Sequence, residues 1–314
     1  MSNHTTHWVE NELKTLDAVI SAISLDSISD NYKEPRIRWE FTEPKDLAFG
    51  DIKVKYNILV FTAEVSNYMN DMITVNHDIV VCQQDGDDMP VNYIIDKNAN
   101  GARTLLRQLL GYKGRMEIEQ KPLNLNADVL LWMIKKVFTN ENIFEFKRRI
   151  EPEVVDTLKI DGIFGLSGET SDENKLKAEG NSVLKLASTL TFILDSERVR
   201  NLAVQLEYID HDNIELSLRD AGVMSVNIES YSGSYEDMDY KEKRANILLL
   251  CYLDVIPKLR ISYSLDVGDE EWNNNKINEF YDLIKNELIQ KLSEKQSSIS
   301  HEKQDEDLSI APAV

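Results

Sequence analysis

The chain is poor in the residues that mark disulfide-rich, collagen-like and membrane proteins. Its 314 residues include only 2 cysteines, 12 glycines and 7 prolines. No apolar run reaches the roughly 18 residues that a membrane-spanning helix needs, and the amino terminus lacks the basic start and apolar core of a secretion signal. Cys82 and Cys251 both lie inside apolar runs, which predicts two reduced core thiols and no disulfide. We therefore expect a globular, cytoplasmic protein.

Basic residues are also scarce. The chain has 35 Lys and Arg against 55 Asp and Glu, which gives a formal net charge of −20. A surface of this charge repels nucleic acid and anionic membranes over most of its area. Solubility is the plainer interpretation of the acidic excess, and mimicry of nucleic acid by carboxylates spaced like phosphates is the alternative.

The clearest structural pattern lies in residues 181–229. Asn181 and Ser182 can cap a helix, because their short side chains accept hydrogen bonds from the free amide groups of the first turn. Apolar residues then recur at helical spacing from Val183 to Leu194. The period next changes to two, which is typical of strands with one buried and one wet face. The pattern predicts a helix packed on a three-stranded antiparallel meander, with strands at 201–208, 214–219 and 224–229.

The amino-terminal third is predicted to be mostly strand. A helix pattern from Trp8 to Ile23 comes first, and alternating apolar residues then occupy much of residues 36–95. From Ala99 the period becomes helical, and Gly111 is placed to end this helix. A second helix pattern begins at Asn126, whose side chain can cap it.

The second half is predicted to begin with a linker, because residues 151–180 are polar and turn-rich. A helix over 241–256 is expected to stop at Pro257, since proline removes a helical hydrogen bond. Alternation over 259–265 then predicts a last strand. A long helix over 271–292 precedes a polar tail that we expect to be disordered.

Together these patterns predict an α+β fold, predominantly antiparallel sheet covered by amphipathic helices. We expect a β-rich lobe at 1–150, a second α+β lobe at 151–294 and a disordered tail at 295–314. A single continuous domain is the alternative.

The sign of the charge reverses between Lys97 and Arg149. This basic segment holds eleven basic and five acidic residues, a net charge of +6, which leaves −26 for the remainder. Arg103 and Arg107 are four residues apart and share a helix face. Clustered guanidinium and ammonium groups are suited to phosphate, nucleotides and nucleic acid. The candidate anion-binding residues are Arg103, Arg107, Lys113, Arg115, Lys147, Arg148 and Arg149.

The alternative is that the basic segment docks on the acidic remainder of the chain or on an acidic patch of a second copy. Aromatic side chains, on which single-stranded nucleic acid stacks, are few in the segment. They include Tyr112, Trp132 and Phe138, and two of these three lie on predicted core faces.

A second hypothesis is a divalent-metal-dependent nuclease. Such a site needs carboxylates to hold the metal and a lysine to orient the attacking water. Asp96, Glu119 and Lys121 supply these residue types, and a second Glu-x-Lys tripeptide at 145–147 does so with Asp128. Two matches in one charged segment show how little the tripeptide discriminates. Mg²⁺ is the expected cofactor under this alternative only.

No other catalytic signature is present in the sequence. Gly162, Gly165 and Gly168 are not followed by the Gly-Lys-Ser/Thr of a P-loop, and the nucleophile-elbow pattern fails at Glu169. The five histidines are scattered, and no Cys/His spacing indicates zinc. His211 lies in an acidic turn, for which a solvated hairpin loop is the simplest interpretation.

We therefore interpret the chain as a non-enzymatic intracellular binding or regulatory subunit that needs no cofactor. It is expected to oligomerise or to join a bacterial multi-protein system, such as a defence system, and to contact an anionic ligand, nucleic acid or an acidic partner through the basic segment. The nuclease is the alternative. Convergence of Asp96, Glu119 and Lys121 within about 5 Å, as metal ligands require, distinguishes the two hypotheses.

Overall fold

The structure, a computed structural model, describes residues 4–67, 69, 71–114, 116–170, 175–180 and 183–308. Two antiparallel sheets and their covering helices confirm the predicted α+β class. The strands are β1 (Thr6–Glu10), β2 (Lys33–Trp39), β3 (Lys45–Phe49), β4 (Ile52–Ser66), β5 (Met72–Gln84), β6 (Val91–Ile95), β7 (Ile118–Gln120), β8 (Ile143–Lys147), β9 (Val155–Thr170), β10 (Lys175–Glu179), β11 (Ser196–Tyr208), β12 (His211–Arg219) and β13 (Val223–Ser232). The helices are α1 (Leu16–Ala22), α2 (Ala99–Leu109), α3 (Ala127–Phe138), α4 (Ala187–Asp195), α5 (Tyr240–Leu250), α6 (Ile256–Gly268) and α7 (Asn274–Leu308), with a 3₁₀ turn at Val183–Lys185 and a π-helical segment at Cys251–Val255.

The first sheet has the strand order β2-β4-β5-β6-β1-β7, and β3 also pairs with β4. One of its faces packs against α1 and α2 in a core of its own. The other face contributes to a larger core that it shares with the second sheet. Burial on both faces explains why the middle of β4, from Tyr56 to Leu59, is buried residue after residue and does not alternate.

The second sheet has the order β10-β9-β11-β12-β13, with β8 also on β9. Its last three strands are the predicted meander, which the register confirms: Leu202 lies opposite Leu218, and Leu216 lies opposite Val226. Leu190 of α4 is buried in the core beneath this sheet. The predicted capping residues 181 and 182 lie outside the described residues.

The larger core joins side chains from both halves of the chain. Helix α5 lies between the sheets. Its Leu248 is buried there, and its Glu242 forms an ion pair with Lys45 of the first sheet. Strand β8, from the predicted first lobe, pairs with β9 of the second sheet. The predicted linker at 151–180 is wrong for β9, which is a central strand of 16 residues. The boundary between the sheets therefore does not coincide with residue 150.

The first predicted helix is wrong in its amino-terminal half. Thr6–Glu10 form β1, which pairs with β6 on one side and β7 on the other, and α1 is only 7 residues long. Trp8 is buried in the same core as Leu16 and Val19. Their shared core produced an apparent helical spacing, although a turn separates the strand from the helix that Thr15 caps.

The predicted stop at Pro257 and the predicted strand at 259–265 are both wrong. Helix α5, the π-helical segment and α6 follow one another without a break. The N–H group of Ile256 bonds to the carbonyl of Cys251, five residues back. A proline in a regular α-helix clashes with the carbonyl four residues before it. The wider π turn just before Pro257 accommodates the ring, so the helix continues.

The last helix is longer than predicted. Helix α7 starts at Asn274 and runs to Leu308, through most of the tail predicted to be disordered at 295–314. Glu, Lys and Gln are frequent in this polar stretch and have high helix propensity. The disorder prediction relied on low apolar content and did not take this propensity into account. None of the helices in the described part of the chain is both long and apolar enough to cross a membrane.

Candidate functional site

Helix α2 carries the most basic part of the chain. No Asp or Glu occurs between Lys97 and Met116. The Asn98 side chain caps the helix by accepting a hydrogen bond from the Gly101 N–H at 2.8 Å, as short polar residues do at this position. Leu105 and the neighbouring apolar residues bury the inner face, so the outer face presents the basic side chains.

The cations of α2 lack acidic partners. Among the described residues, no ion pair involves Arg103, Arg107 or Lys113. The Arg103 guanidinium lies 5.4 Å from the ring centroid of Trp8, and Lys113 is exposed. The Nε of Arg107 is buried without a hydrogen-bond partner. Arg115, the fourth candidate here, lies outside the described residues.

The later part of the basic segment is largely neutralised within the chain. Lys136 pairs with Asp266 of α6 at 2.7 Å and with Glu141 at 3.4 Å, and Lys135 also pairs with Glu141. These contacts fit the alternative in which the basic segment docks on the acidic remainder. Sequence reasoning could not separate these cations from those of α2, because Asp266 is far away along the chain.

The three candidates at the end of β8 differ from one another. Arg148 binds Asp156, with its Nε 2.9 Å from Oδ1, and this partner raises the pKa of the guanidinium. Lys147 and Arg149 are exposed. Strand β8 belongs to the second sheet, whereas α2 covers the first. The structure therefore places the six described candidates on or just after two separate elements, α2 and β8.

The nuclease residues are not brought together. Asp96 follows β6 and Glu119 lies on β7, and β1 runs between these strands. Two strand spacings separate their backbones by about 10 Å. The Asp96 carboxylate is instead 3.2 Å from Nδ1 of His77 and 3.9 Å from Arg244, while Lys121 is exposed. Within the described residues, no three His, Cys, Asp or Glu side chains are grouped to hold a metal ion.

The second Glu-x-Lys tripeptide has no better geometry. Its Glu145 and Lys147 are exposed on β8. The Asp128 carboxylate accepts hydrogen bonds from the Tyr263 hydroxyl and from Nε1 of Trp272, the latter at 3.0 Å. Asp128, which belongs to α3, thus holds α6 and the residues just before α7 against α3.

An array of three ionisable side chains lies just past the end of β6, beside the middle of β5. Nζ of Lys97 is 3.0 Å from Nε2 of His77, and Nδ1 of His77 is 3.2 Å from Oδ1 of Asp96. When Nδ1 carries the imidazole proton, Nε2 is free to accept from the ammonium group. Burial lowers the pKa of Lys97, and the charge of Asp96 opposes this shift.

The sequence contained a signal for this array that we did not use. His77 and Lys97 each lie ten residues from Asp87, which is part of the turn at residues 85–88, and the β5–β6 register pairs Ile79 with Ile95. An antiparallel hairpin places such equidistant residues opposite each other. A predicted turn therefore predicts the pairing as well.

A buried ionic cluster joins the two sheets to the π-helical segment. Nζ of Lys258 is 3.1 Å from Asp254 and 3.7 Å from Asp156, and Asp156 also binds Arg148 at 2.8 Å. The Tyr208 hydroxyl donates to Asp254. Burial raises the pKa of Asp254, and the bonds from Tyr208 and Lys258 oppose that rise. The carboxylates of Asp156 and Asp254 balance the charges of Arg148 and Lys258, so we interpret the cluster as structural.

The first sheet reaches this cluster through Gly50, between β3 and β4. Gly50 has a φ of +53°, a conformation that residues with a Cβ rarely adopt. A Cβ at this position would lie 3.4 Å from a carboxylate oxygen of Asp156 and 3.5 Å from one of Asp254. Sequence reasoning missed the cluster because its members come from five separate elements.

Two histidines are buried and neutral. His211, which the sequence placed in a solvated loop, is 3 % exposed, and its Nδ1 is 2.6 Å from the Tyr231 hydroxyl. His7 is equally buried, with Nε2 3.0 Å from Oδ1 of Asn92. Burial lowers the pKa of each histidine to about 4. The solvated-loop prediction is wrong, because the turn folds back over an aromatic cluster that includes Tyr235.

Both cysteines are buried and unpaired, as predicted. Burial raises the pKa of Cys82 to about 12 and also raises the pKa of Cys251. A thiol needs a lowered pKa to act as a nucleophile at neutral pH. Neither cysteine therefore supplies a reactive thiolate.

No protein-family model matches the chain, and no curated protein matches it. What the protein does must therefore follow from its own side chains and their surroundings.

Proposed function

We propose that the protein is a non-enzymatic binding subunit that contacts an acidic protein surface through the outer face of α2. The observation that supports it most directly is that Arg103, Arg107 and Lys113 form no ion pair with any described residue. Carboxylates outnumber basic groups by 55 to 35 in this chain, so an internal acidic partner would be easy to supply. Cations left unpaired in such a chain are available to another molecule.

The side-chain chemistry of α2 supports a carboxylate partner. A guanidinium group binds a carboxylate through two parallel hydrogen bonds, so the guanidinium groups of Arg103 and Arg107 are suited to an acidic protein surface. Long-range repulsion from a chain of charge −20 disfavours nucleic acid more than a protein with a local acidic patch.

A second copy of this chain is itself an acidic partner, so the proposal includes self-association. It also includes membership of a bacterial multi-protein system and a place in the cytoplasm, where the two unpaired cysteines would stay reduced.

Reversing the charge of α2 is expected to abolish the complex. In the variant Arg103→Glu/Arg107→Glu, two charge-assisted hydrogen-bonding groups are replaced by groups that repel the partner. We expect affinity to fall by about 100-fold or more, since each such bond contributes about 1.5–3 kcal/mol. The measurement is co-purification of the tagged protein from its native cell, followed by light scattering to determine the mass of the complex.

The matched control is Lys147→Glu/Arg149→Glu, which makes the same change of charge at exposed positions of β8. It should leave the complex intact, and both variants should unfold at the wild-type temperature within a few degrees. Equal losses in the two variants would mean that net charge, not α2, governs binding. If the purified complex contains nucleic acid, detected by its absorbance, the partner is a nucleic acid and the proposed acidic protein partner is wrong.

A further inference from the structure

A cavity of about 690 Å³ opens on the face of the first sheet that α2 covers. It lies between α2, the β4–β5 hairpin and the loop that leads into β2. The β4–β5 hairpin extends beyond β6, because β6 pairs with β5 only from Ile79 onward. The space beside the projecting hairpin is the cavity. Small-molecule sites in proteins have volumes of about 300–1,000 Å³.

The lining of the cavity is basic in an acidic protein. Lys33 and Lys97 line it, and Asp30 is the one acidic residue among the described residues of the lining. The charge of the whole chain is −20, so a site with excess positive charge stands out against its surroundings.

Lys97 has spare donors for a ligand. An ammonium group has three hydrogens, and the described side-chain partner of Lys97 is His77, at 3.0 Å from Nζ. Asp96 contacts His77 but forms no described ion pair with Lys97. An anion in the cavity would add a second negative charge to that of Asp96 and offset the burial of the amine, which lowers the pKa of Lys97.

Polar and aromatic groups of the lining are suited to the rest of an organic ligand. Gln108 lines the cavity, and a side-chain amide can form hydrogen bonds with a ligand hydroxyl or amine. The Thr104 hydroxyl donates to the Asn100 carbonyl at 2.9 Å, which leaves its oxygen free to accept. Tyr32 packs edge-on against Phe61 at 5.1 Å between ring centroids, so it forms a fixed apolar wall.

We propose that this cavity binds a small organic phosphate. The phosphate group accepts hydrogen bonds from Lys97 and is neutralised further by Lys33, while ligand hydroxyl or amine groups donate to Gln108. This inference goes beyond the proposed α2 interaction, because Arg103 and Arg107 do not line the cavity. Either site can therefore fail its test without affecting the other.

The test is isothermal titration of the full chain with four probes: inorganic phosphate, ribose 5-phosphate, adenosine 5′-monophosphate and adenosine. We expect ribose 5-phosphate or adenosine 5′-monophosphate to bind, and adenosine to bind at least about tenfold more weakly, because it lacks the charged acceptor. Lys97→Met removes the ammonium group but keeps the aliphatic stem, and it should weaken the phosphate-bearing probes by about tenfold or more. The control Lys147→Met, at an exposed lysine on β8, should bind like the wild type.

Lys33→Met keeps the proposal falsifiable if Lys97→Met does not fold, because Lys33 is exposed and its loss should not affect folding. It should weaken the same probes in the same direction. The proposal is overturned if no phosphate-bearing probe binds at millimolar concentration, or if both lysine variants that fold bind as the wild type does. If inorganic phosphate binds as tightly as the organic phosphates, the cavity does not recognise the organic group, and that part of the proposal is wrong.

Discussion

Replacing Lys258 by methionine is expected to lower the free energy of unfolding by about 3–5 kcal/mol, the usual cost of removing one partner from a buried ion pair. Lys258 lies between Asp254 and Asp156, at 3.1 and 3.7 Å from their carboxylates. Both aspartates are at most 6 % exposed. Without the ammonium group, the Tyr208 hydroxyl is the one hydrogen-bond partner that the Asp254 side chain keeps among the described residues. Urea unfolding at pH 7 measures the loss.

The matched control is Lys159→Met on β9. Lys159 also contacts two carboxylates, Asp161 at 2.6 Å and Glu207 at 3.4 Å, but all three side chains are about one-third to one-half exposed. Exposed ion pairs contribute about 0–1 kcal/mol, so this variant should remain within about 1 kcal/mol of the wild type.

A second substitution separates charge from packing. Adding Asp254→Asn to Lys258→Met removes the unpaired buried charge and should restore part of the lost stability. If Lys258→Met costs no more than Lys159→Met, the cluster does not hold the sheets and the helix together. If the double variant is less stable than Lys258→Met alone, the loss comes from packing and not from the stranded carboxylate.

The parts of the fold that the sequence predicted are those set by local patterning. The meander follows from alternation along β11, β12 and β13, where Leu202, Leu216 and Met224 point into one core. The end of α2 follows from Gly111, which takes the φ of +68° that ends the helix. Each of these features depends on residues close together in the chain.

The parts that sequence reasoning missed depend on distant contacts. Strand β1 is defined by its two neighbours, β6 and β7, which lie about 80 and 110 residues further along the chain. The helix continues through Pro257 because the π turn and the surrounding core hold it, with Leu259 fully buried just after the proline. Tertiary packing of this kind overrides local propensity.

The candidate site divides in the same way. The sequence identified the cations of the basic segment, but it could not say which of them remain unpaired. Lys136 is neutralised by Asp266, 130 residues away, whereas Arg103 and Arg107 meet no carboxylate among the described residues. The cavity beside α2 was not foreseen either, because Lys33 and Lys97 come together only through the order of the strands.

Acidification from pH 7 to pH 5 is expected to destabilise the protein by about 2 kcal/mol for each of His7 and His211. Both have a pKa of about 4 in the folded protein, against about 6.5 in the unfolded chain. Below pH 6.5 the unfolded chain binds protons that the folded chain does not, so stability falls as the pH falls. The loss continues until the pH passes the folded pKa of about 4.

The variants His7→Gln and His211→Asn test this assignment, because each keeps a hydrogen-bonding group near the position of the bonded ring nitrogen but cannot be protonated. Each variant will lose some stability at every pH through altered packing. The informative quantity is therefore the slope of the unfolding free energy between pH 7 and pH 5, measured by urea unfolding. We expect the slope to decrease by about half of the combined histidine contribution in each single variant and by nearly all of it in the double variant. If the double variant keeps the wild-type slope, acid sensitivity arises from carboxylates and not from these buried imidazoles.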